Sequence, residues 1–389
     1  MLRSIGVFIT FLFSVSIQAQ RTLTKEEAVQ LAIGNQRNLQ AANLSVQQQQ
    51  QLVKGFIALD NPQITAEASL YEPLLVGVQQ NLSLPSVYRN RKALQTERIR
   101  LAQLQFQGSQ LELTRDVRLN YLQLQYFFER VRIIRYQDSI YQAIKESSKR
   151  FFEAGQINKL EELFATTQAD RIRNDLERAL ADLRGEEQVF RFYTDLKDSI
   201  VVEPIETYQF IPVTDTLVSN VQQQILQQQI SISQRQLQLE RSELLPQVSA
   251  GVLFPTTKDY KRAVGYQLGV SIPIWGRQNR SRIAAAQSSV DIARAEQDLE
   301  LQRLNAQYRQ TLSAYQRELQ SLSYFNNTAL PQARAIIDVS QRLFQGGELN
   351  YIESLRNLQT AFEIFTDHLE AHRAYNETVI QLNFLKGTL

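Results

Sequence analysis

The sequence contains no cysteine, and it has only 9 prolines, 14 glycines and 2 histidines among 389 residues. The lack of cysteine excludes thiolate chemistry, cysteine-ligated metals, disulfides and a lipid attached to an N-terminal cysteine. So few helix breakers favour long helices. The 42 basic and 40 acidic residues nearly balance and form no basic stripe, so we expect no nucleic acid as a partner.

Residues 1–20 have the features of a secretory signal peptide. Arg3 supplies the positive charge, an apolar run covers residues 5–17, and Ala19 offers a cleavage site. The run has about 13 residues, which is too short to cross a bilayer comfortably, and no later run approaches the ~18 apolar residues of a transmembrane helix. We therefore interpret this segment as a cleaved signal of an exported protein that is not a lipoprotein.

One stretch of the chain occurs twice. Residues 150–163 read RFFEAGQINKLEEL and residues 342–355 read RLFQGGELNYIESL. The matched positions are Phe152 and Phe344, Gly155 and Gly347, and Glu161 and Glu353. The offset is about 192 residues, half of the mature chain, which indicates an internal duplication. Each copy ends one helical pattern and begins another at a glycine, the residue that suits the positive φ of a helix C-terminus.

Both copies share one order of predicted elements, helix, β-hairpin, long helix, helix. Strict alternation of apolar and polar residues predicts the hairpins, with strands of about nine residues, the length that a tilted strand needs to cross a bilayer. The first repeat, 21–196, has a helix that opens on the Thr24/Glu27 capping box and runs to about residue 59, a hairpin at 62–85, and helices at 89–154 and 160–193. The second repeat, 214–389, has a helix at about 216–244, a hairpin at 246–274, and helices at 279–344 and 351–385.

An extended connector, 197–213, joins the repeats. Each long helix would measure about 100 Å, and Pro331 should kink the second one. The shorter helices are each about half as long, so two stacked end to end match one long rod. Four strands cannot close a membrane barrel, which needs about eight; three chains would supply twelve. The polar strand residues that suit a water-filled channel are Thr65, Glu67, Gln79, Asn81 and Gln267.

These features resemble the TolC family of outer-membrane efflux proteins over essentially the whole mature chain. The residues that carry the resemblance are the strand-ending Ser-(Leu/Ile)-Pro at 83–85 and 271–273, the two Phe-x-x-Gly turns, Leu-Pro-Gln at 330–332 and the terminal LKGTL. The resemblance implies a mainly α protein with a transmembrane β part. In that fold, a homotrimer forms a 12-stranded outer-membrane β-barrel continued by a periplasmic α-helical barrel.

The resemblance also implies a function. The protein would be a passive exit duct of a tripartite efflux system, in the outer membrane of a Gram-negative bacterium, with a periplasmic adaptor, an inner-membrane pump and outer-membrane lipid as partners. It would need no cofactor and would not be an enzyme, which agrees with the lack of a Ser-His-Asp or phosphate-loop pattern. The alternatives are a type I protein-secretion duct, a structural periplasmic coiled coil, and an adaptor.

Four groups of candidate residues follow. The resemblance places the periplasmic tip, where the adaptor docks, at Phe152, Gly155, Phe344, Gly346 and Gly347. It places an acidic constriction of the entrance at Glu353, with Glu161 as the counterpart in the first copy, although solvated surface carboxylates would look the same in sequence. Arg356 stands where the family has a second acid, so a pair between Glu353 and Arg356 of neighbouring copies is an alternative. Tyr88 and Trp275, each beside a basic cluster, end the hairpins as membrane-interface aromatics or as junction packing. His368 and His372, one helical turn apart, are weak metal candidates, and we expect no metal site.

Overall fold

The structure is a computed structural model that describes residues 22–55, 60–68, 74–197, 200–210, 220–256, 264–272, 276–345 and 351–389. The expected signal peptide therefore lies outside the described residues. Among the residues described, no helix combines the length and the apolar content needed to cross a membrane. The described elements are helices and one four-stranded sheet.

The helices follow the order expected from the two repeats. In the first repeat they are α1 (Lys25–Asn35), α2 (Arg37–Lys54), α3 (Pro85–Glu153) and α4 (Lys159–Thr194). In the second repeat they are α5 (Val221–Ser242), α6 (Gly276–Tyr324), α7 (Leu330–Gln345) and α8 (Tyr351–Lys386), with a π-helical segment, Phe325–Ala329, between α6 and α7.

The first helical segment is broken at Gln36, where the sequence predicts one continuous helix. The expected capping box is present, since Thr24 and Glu27 exchange backbone-to-side-chain hydrogen bonds. Gln36 then adopts an extended conformation, and its Nε2 donates to the carbonyl of Phe192 at 2.8 Å. Asn35 Nδ2 donates to the carbonyl of Thr194 at 2.9 Å. The break thus joins α1 and α2 to the C-terminal end of α4.

The second repeat contains a matching end-to-end junction. Asn220 caps α5 by accepting from Gln222 N at 2.7 Å, and its Nδ2 donates to the carbonyl of Leu385 in α8 at 2.8 Å. Each repeat therefore supplies one continuous rod and one composite rod, as the helix lengths predict. The continuous rods are α3 and α6–α7; the composite rods are α1–α2 with α4, and α5 with α8.

The four rods form one layer. The composite rod of the first repeat packs on α3, α3 packs on α5 and α8, and these pack on α6 and α7. The layer thus has two outer rods, α1–α2 with α4 on one side and α6–α7 on the other. Its core is a series of clusters along the rods, of which the largest surrounds Val117, Tyr121, Leu124 and Phe190.

The irregularity expected at Pro331 is a π-helical segment just before it. Leu330 N–H donates to the carbonyl of Phe325, five residues back, in place of the α-helical partner. Proline lacks an N–H and its ring clashes with the carbonyl four residues earlier, so a local widening accommodates it. The first repeat has Ser139 at the matching position, and α3 runs through it without a break over 69 residues.

The sheet is antiparallel in the order β1-β2-β3-β4, with β1 (Gln63–Glu67), β2 (Leu75–Leu82), β3 (Gln247–Pro255) and β4 (Gly265–Ser271). Residues 69–73 and 257–263, which include both expected turns, lie outside the described residues. The register places Ile64, Val78, Val252 and Tyr266 in one row and so gathers the apolar residues on one face. The five polar residues singled out in the sequence share the opposite face.

The sheet curls toward its polar face. Gln267 Nε2 of β4 donates to Glu67 Oε1 of β1 at 3.3 Å, although these are the two outer strands. In a flat sheet three strand spacings would separate them by roughly 14 Å. The polar face is also crowded at its glycines, because a Cβ on Gly77 would lie 2.5 Å from the side chain of Leu253. The polar face is therefore concave and the apolar face convex.

Candidate functional site

The turn between α3 and α4 is built by local hydrogen bonds. Gly155 has a φ of 72°, and its N–H donates to the carbonyl of Phe152 at 2.9 Å. Gln156 N–H donates to the carbonyl of Phe151 at 2.8 Å, which completes a Schellman motif. A glycine supplies the left-handed conformation without strain. The glycine predicted at this tip therefore ends the helix as the sequence indicates.

The aromatic residues of the two tips occupy different positions. Phe152 is 37% exposed, with Lys159 Nζ 4.9 Å from its ring centre. Phe344 is partly buried and meets Phe151, with ring centroids 6.2 Å apart. The ends of α3 and α7 thus lie side by side, but the two matched phenylalanines are not equivalent. Gly346 and Gly347 lie outside the described residues, and the docking role of the tip stays a prediction.

Glu161 has a structural partner. Its carboxylate accepts from Asn158 N at 3.0 Å while Asn158 Oδ1 accepts from Glu161 N at 3.0 Å, a capping box that begins α4. Glu353 and Arg356 are exposed near the start of α8. The structure thus gives Glu161 a role in helix capping, and a charged constriction by the three residues stays a prediction.

At the other end of the rods, Tyr88 lies at the junction of sheet and helix. Its hydroxyl accepts from the backbone N–H of Ser83 at 3.3 Å, which ties the first turn of α3 to the end of β2. Trp275 lies outside the described residues. This contact is one that junction packing would produce, and the interface role of both aromatics stays a prediction.

The two histidines lie together and are hydrogen-bonded. His368 Nε2 is 3.0 Å from Asn326 Oδ1 in the π-helical segment, and His372 Nε2 is 3.1 Å from the Thr207 hydroxyl of the connector. Their ring centroids are 5.9 Å apart. Burial and the neighbouring His368 lower the pKa of His372 to about 4, and burial with Arg334 lowers that of His368. The described residues hold no cluster of three metal-binding side chains.

The histidines line a cavity of about 620 Å³ between α3, α7, α8 and the connector. Tyr136 and Phe362 form part of its wall, with rings in edge contact at 5.8 Å. Burial raises the pKa of Glu129 there, and Arg132 opposes the shift. Sequence reasoning missed this cavity, because it requires the π-helical segment and the connector to meet α8.

Sequence reasoning also did not identify the exposed apolar surfaces of the two outer rods. Twelve large apolar side chains are exposed on the described parts of the outer rods, against three on the inner rods. Leu160 is 74% exposed, Phe192 71% and Leu299 67%. Ile292 and Leu299 are seven residues apart, the spacing of a coiled-coil seam. The sequence shows this spacing, but it does not show which helix face lacks a packing partner within one chain.

A scan of protein families and a search of curated proteins find no match. Solved structures do match. The chain superposes on the CusC transmembrane channel with a TM-score of 0.80 at 15% identity, over 93% of this chain and 91% of that one. For the outer-membrane channel OprN the TM-score is 0.80 at 13% identity, over 94% and 90%.

A third similar structure is the CmeC outer membrane channel of Campylobacter jejuni, with a TM-score of 0.75 at 12% identity, over 94% of this chain and 85% of that one. At such identities the likeness concerns the fold, and it extends over nearly the full length of each chain. The chain therefore has the fold of the TolC-type outer-membrane channels.

Proposed function

We propose that three copies of this chain form an outer-membrane exit duct of a tripartite efflux system. The duct conducts substrates passively from an inner-membrane pump and a periplasmic adaptor to the outside. The observation that carries the proposal is the sheet, whose outer strands β1 and β4 each pair with one neighbour only within the described residues. Its apolar face is convex and its polar face concave.

Such a sheet needs its edges paired. An open edge in lipid leaves backbone N–H and C=O groups unsatisfied at several kcal/mol each. Because β1 and β4 run in opposite directions, β4 of one copy beside β1 of the next continues the antiparallel order. Repetition of one head-to-tail contact closes a ring, and the resemblance implies that three copies close it.

The two faces suit this environment. The convex face exposes Ile64 at 81%, Tyr266 at 82% and Leu268 at 82%. Apolar side chains so exposed gain about 25 cal/mol for each Å² removed from water, which lipid provides. The concave face, with Glu67 and Gln267 hydrogen-bonded across it, would line a water-filled passage.

The rods support the same ring. Twelve of the fifteen large apolar side chains that are exposed on the described rods lie on the two outer rods, which are the rods that would meet when copies stand side by side. Leu160 and Phe192 on one side and Leu299 on the other would be covered by such a contact. The helical layer and the sheet thus indicate the same neighbours around the ring.

The partners are proposed from the tip. The Gly155 turn ends the layer farthest from the sheet, and Phe152 projects there partly exposed. A tight turn with an exposed aromatic ring offers a compact surface for an adaptor. Glu353 and Arg356 lie near it at the start of α8, where copies in a ring would bring the Glu353 carboxylates together with Arg356 close by.

The assembly can be tested through the absence of cysteine. Ala66→Cys in β1, combined with Leu268→Cys or Val270→Cys in β4, places both thiols on the convex face but on opposite edges of one sheet. Oxidation should therefore link different copies and give dimers and trimers on a denaturing gel, while each single variant gives at most dimers. A protein that yields monomers only, and that fails to conduct in a planar bilayer, would contradict the proposal.

The constriction has its own test. Glu161→Gln removes the charge but keeps an acceptor for the capping box, so the fold should be retained. Glu353→Gln removes the matched charge in α8. Each change should reduce the cation selectivity of the reconstituted channel. An unchanged reversal potential in both variants would show that these carboxylates are surface groups.

A further inference from the structure

The helical side of the sheet is strongly basic. The eleven residues next to each strand on that side contain eight basic and three acidic side chains, although the whole chain is nearly balanced, with 42 basic and 40 acidic residues. The basic ones are Lys54, Arg89, Arg91, Lys92, Arg241, Arg277, Arg280 and Arg282, and the acidic ones are Asp60, Glu240 and Glu243. Both repeats contribute, so the concentration follows the duplication.

Two of these cations have structural partners. Arg91 lies 3.5 Å from Glu243, and Arg282 lies 2.9 Å from both Glu240 and Glu243. These pairs join α3, α5 and α6 below the sheet and use two of the three acids. Asp60 is exposed at the start of β1.

The other six cations are exposed and form no ion pair or side-chain hydrogen bond within the described residues. We name them the basic belt: Lys54, Arg89, Lys92, Arg241, Arg277 and Arg280. Like charges without a partner of opposite sign repel one another, so their clustering does not stabilise the folded chain. Their concentration at one level of the molecule therefore points to an external anion.

The level of the basic belt is where the apolar surface ends. The convex face reaches Leu82 and Val270 on this side, and α3 and α6 begin within a few residues of those strand ends. Long basic side chains can lie along an apolar surface while their charged ends reach polar groups beyond it.

We infer that the basic belt binds the phosphate groups of anionic phospholipids in the membrane leaflet nearest the helices, and that this contact fixes the depth of the sheet in the bilayer. The inference rests on the proposed function, because it needs the sheet to lie in a membrane. Inorganic phosphate carries the same chemistry, but a lipid also places its acyl chains on the apolar face beside the belt. A basic residue at an anionic surface strengthens binding about fivefold, so several together give a marked preference for anionic lipid.

The test compares lipid binding by the purified full-length protein in neutral detergent. Phosphatidylglycerol or phosphatidylcholine with the same acyl chains is titrated, and bound lipid is counted by native mass spectrometry. The wild type should bind phosphatidylglycerol about tenfold or more tightly. The variant Arg89→Gln, Lys92→Gln, Arg277→Gln, Arg280→Gln should lose the preference and keep its oligomeric state.

A matched control removes the same charge elsewhere. Arg135, Lys149, Arg178 and Arg184 are exposed cations of α3 and α4, and all four changed to Gln should leave the lipid preference intact. An equal loss in the control, a wild type without preference, or displacement of the lipid by millimolar inorganic phosphate would overturn the inference. A protein that conducts in a planar bilayer but shows no preference for phosphatidylglycerol would refute the role of the basic belt and not the proposed duct. A protein that shows this preference but does not conduct would refute the duct and not the basic belt.

Discussion

Replacing Gly155 by alanine tests how much a glycine in the left-handed conformation stabilises the turn between α3 and α4. The residue has a φ of 72°, and a Cβ added to it would meet no heavy atom within 4 Å. The cost of the substitution therefore comes from the backbone alone, about 1–2 kcal/mol for a left-handed residue with a Cβ. The lower entropy of the unfolded alanine chain offsets about 0.4–1 kcal/mol of this. The expected net loss is about 0.5–1 kcal/mol, all of it local.

That magnitude predicts a measurable change at the turn. A loss of this size increases local opening about two- to fivefold, which hydrogen exchange at the backbone N–H groups of Gly155 and Gln156 can report. Asparagine tolerates the left-handed region, so Gly155→Asn should lie between wild type and Gly155→Ala. Export by cells with the cognate pump and adaptor should fall in the same order.

Gly387 provides the matched control. It has a φ of 73° in a second Schellman motif at the end of α8, at the junction with α5. Gly387→Ala should carry a similar backbone cost without touching the tip. If Gly155→Ala leaves hydrogen exchange unchanged, the backbone argument is wrong. If export falls equally in both variants, the loss reflects general destabilisation and the tip has no special role in docking.

Three further perturbations test other parts of the structure. Since the pKa of His372 is lowered to about 4, the stability that it contributes is present above pH ~6.5 and declines as the pH falls toward 4. Solvent screening reduces the contribution of this pKa shift to the free energy of unfolding to about 1–2 kcal/mol. Thermal unfolding at pH 7.5 and pH 5 should show this loss of stability, and His372→Gln should reduce the difference. Asn220→Ala removes the bond between α5 and α8 and should cost about 1–3 kcal/mol in unfolding experiments, whereas the exposed Asn174→Ala should cost almost nothing. Gly77→Ala should impair bilayer insertion because its Cβ would lie 2.5 Å from a backbone carbonyl, while Gly34→Ala, with no atom within 4 Å, should not.

The features that sequence predicted are those that depend on local chemistry. The Thr24 capping box and the Gly155 turn involve residues within a few positions of each other, so their pattern survives folding unchanged. The alternation around Val78 predicts a strand because side chains of a strand point to opposite faces in turn. Three of the four strands are shorter than the expected length of about nine residues, however: β1 has five residues, β2 eight and β4 seven.

The features that sequence missed depend on distant partners. Gln36 ends α1 because the C-terminal turn of α4 presents carbonyl groups to it, and that turn is more than 150 residues away in the chain. Phe344 and Phe152 occupy matched positions in the two copies, yet only Phe344 is covered, because the end of α3 lies beside it. An apolar position at the correct helical spacing has no property that shows whether its partner belongs to the same chain.

The duplication and its exceptions explain how the layer is organised. Two copies in each of three chains would give a nearly sixfold ring, and the rods, junctions and hairpins follow that repeat. The connector lies between the two copies, and it is held by Phe210 against Tyr315 and by Thr207 beside His372. The π-helical segment, absent from α3, contacts His368 at the same level. The connector and the π-helical segment thus meet in one zone, where the proposed ring would have only threefold character and where the two rods of a chain can differ in shape.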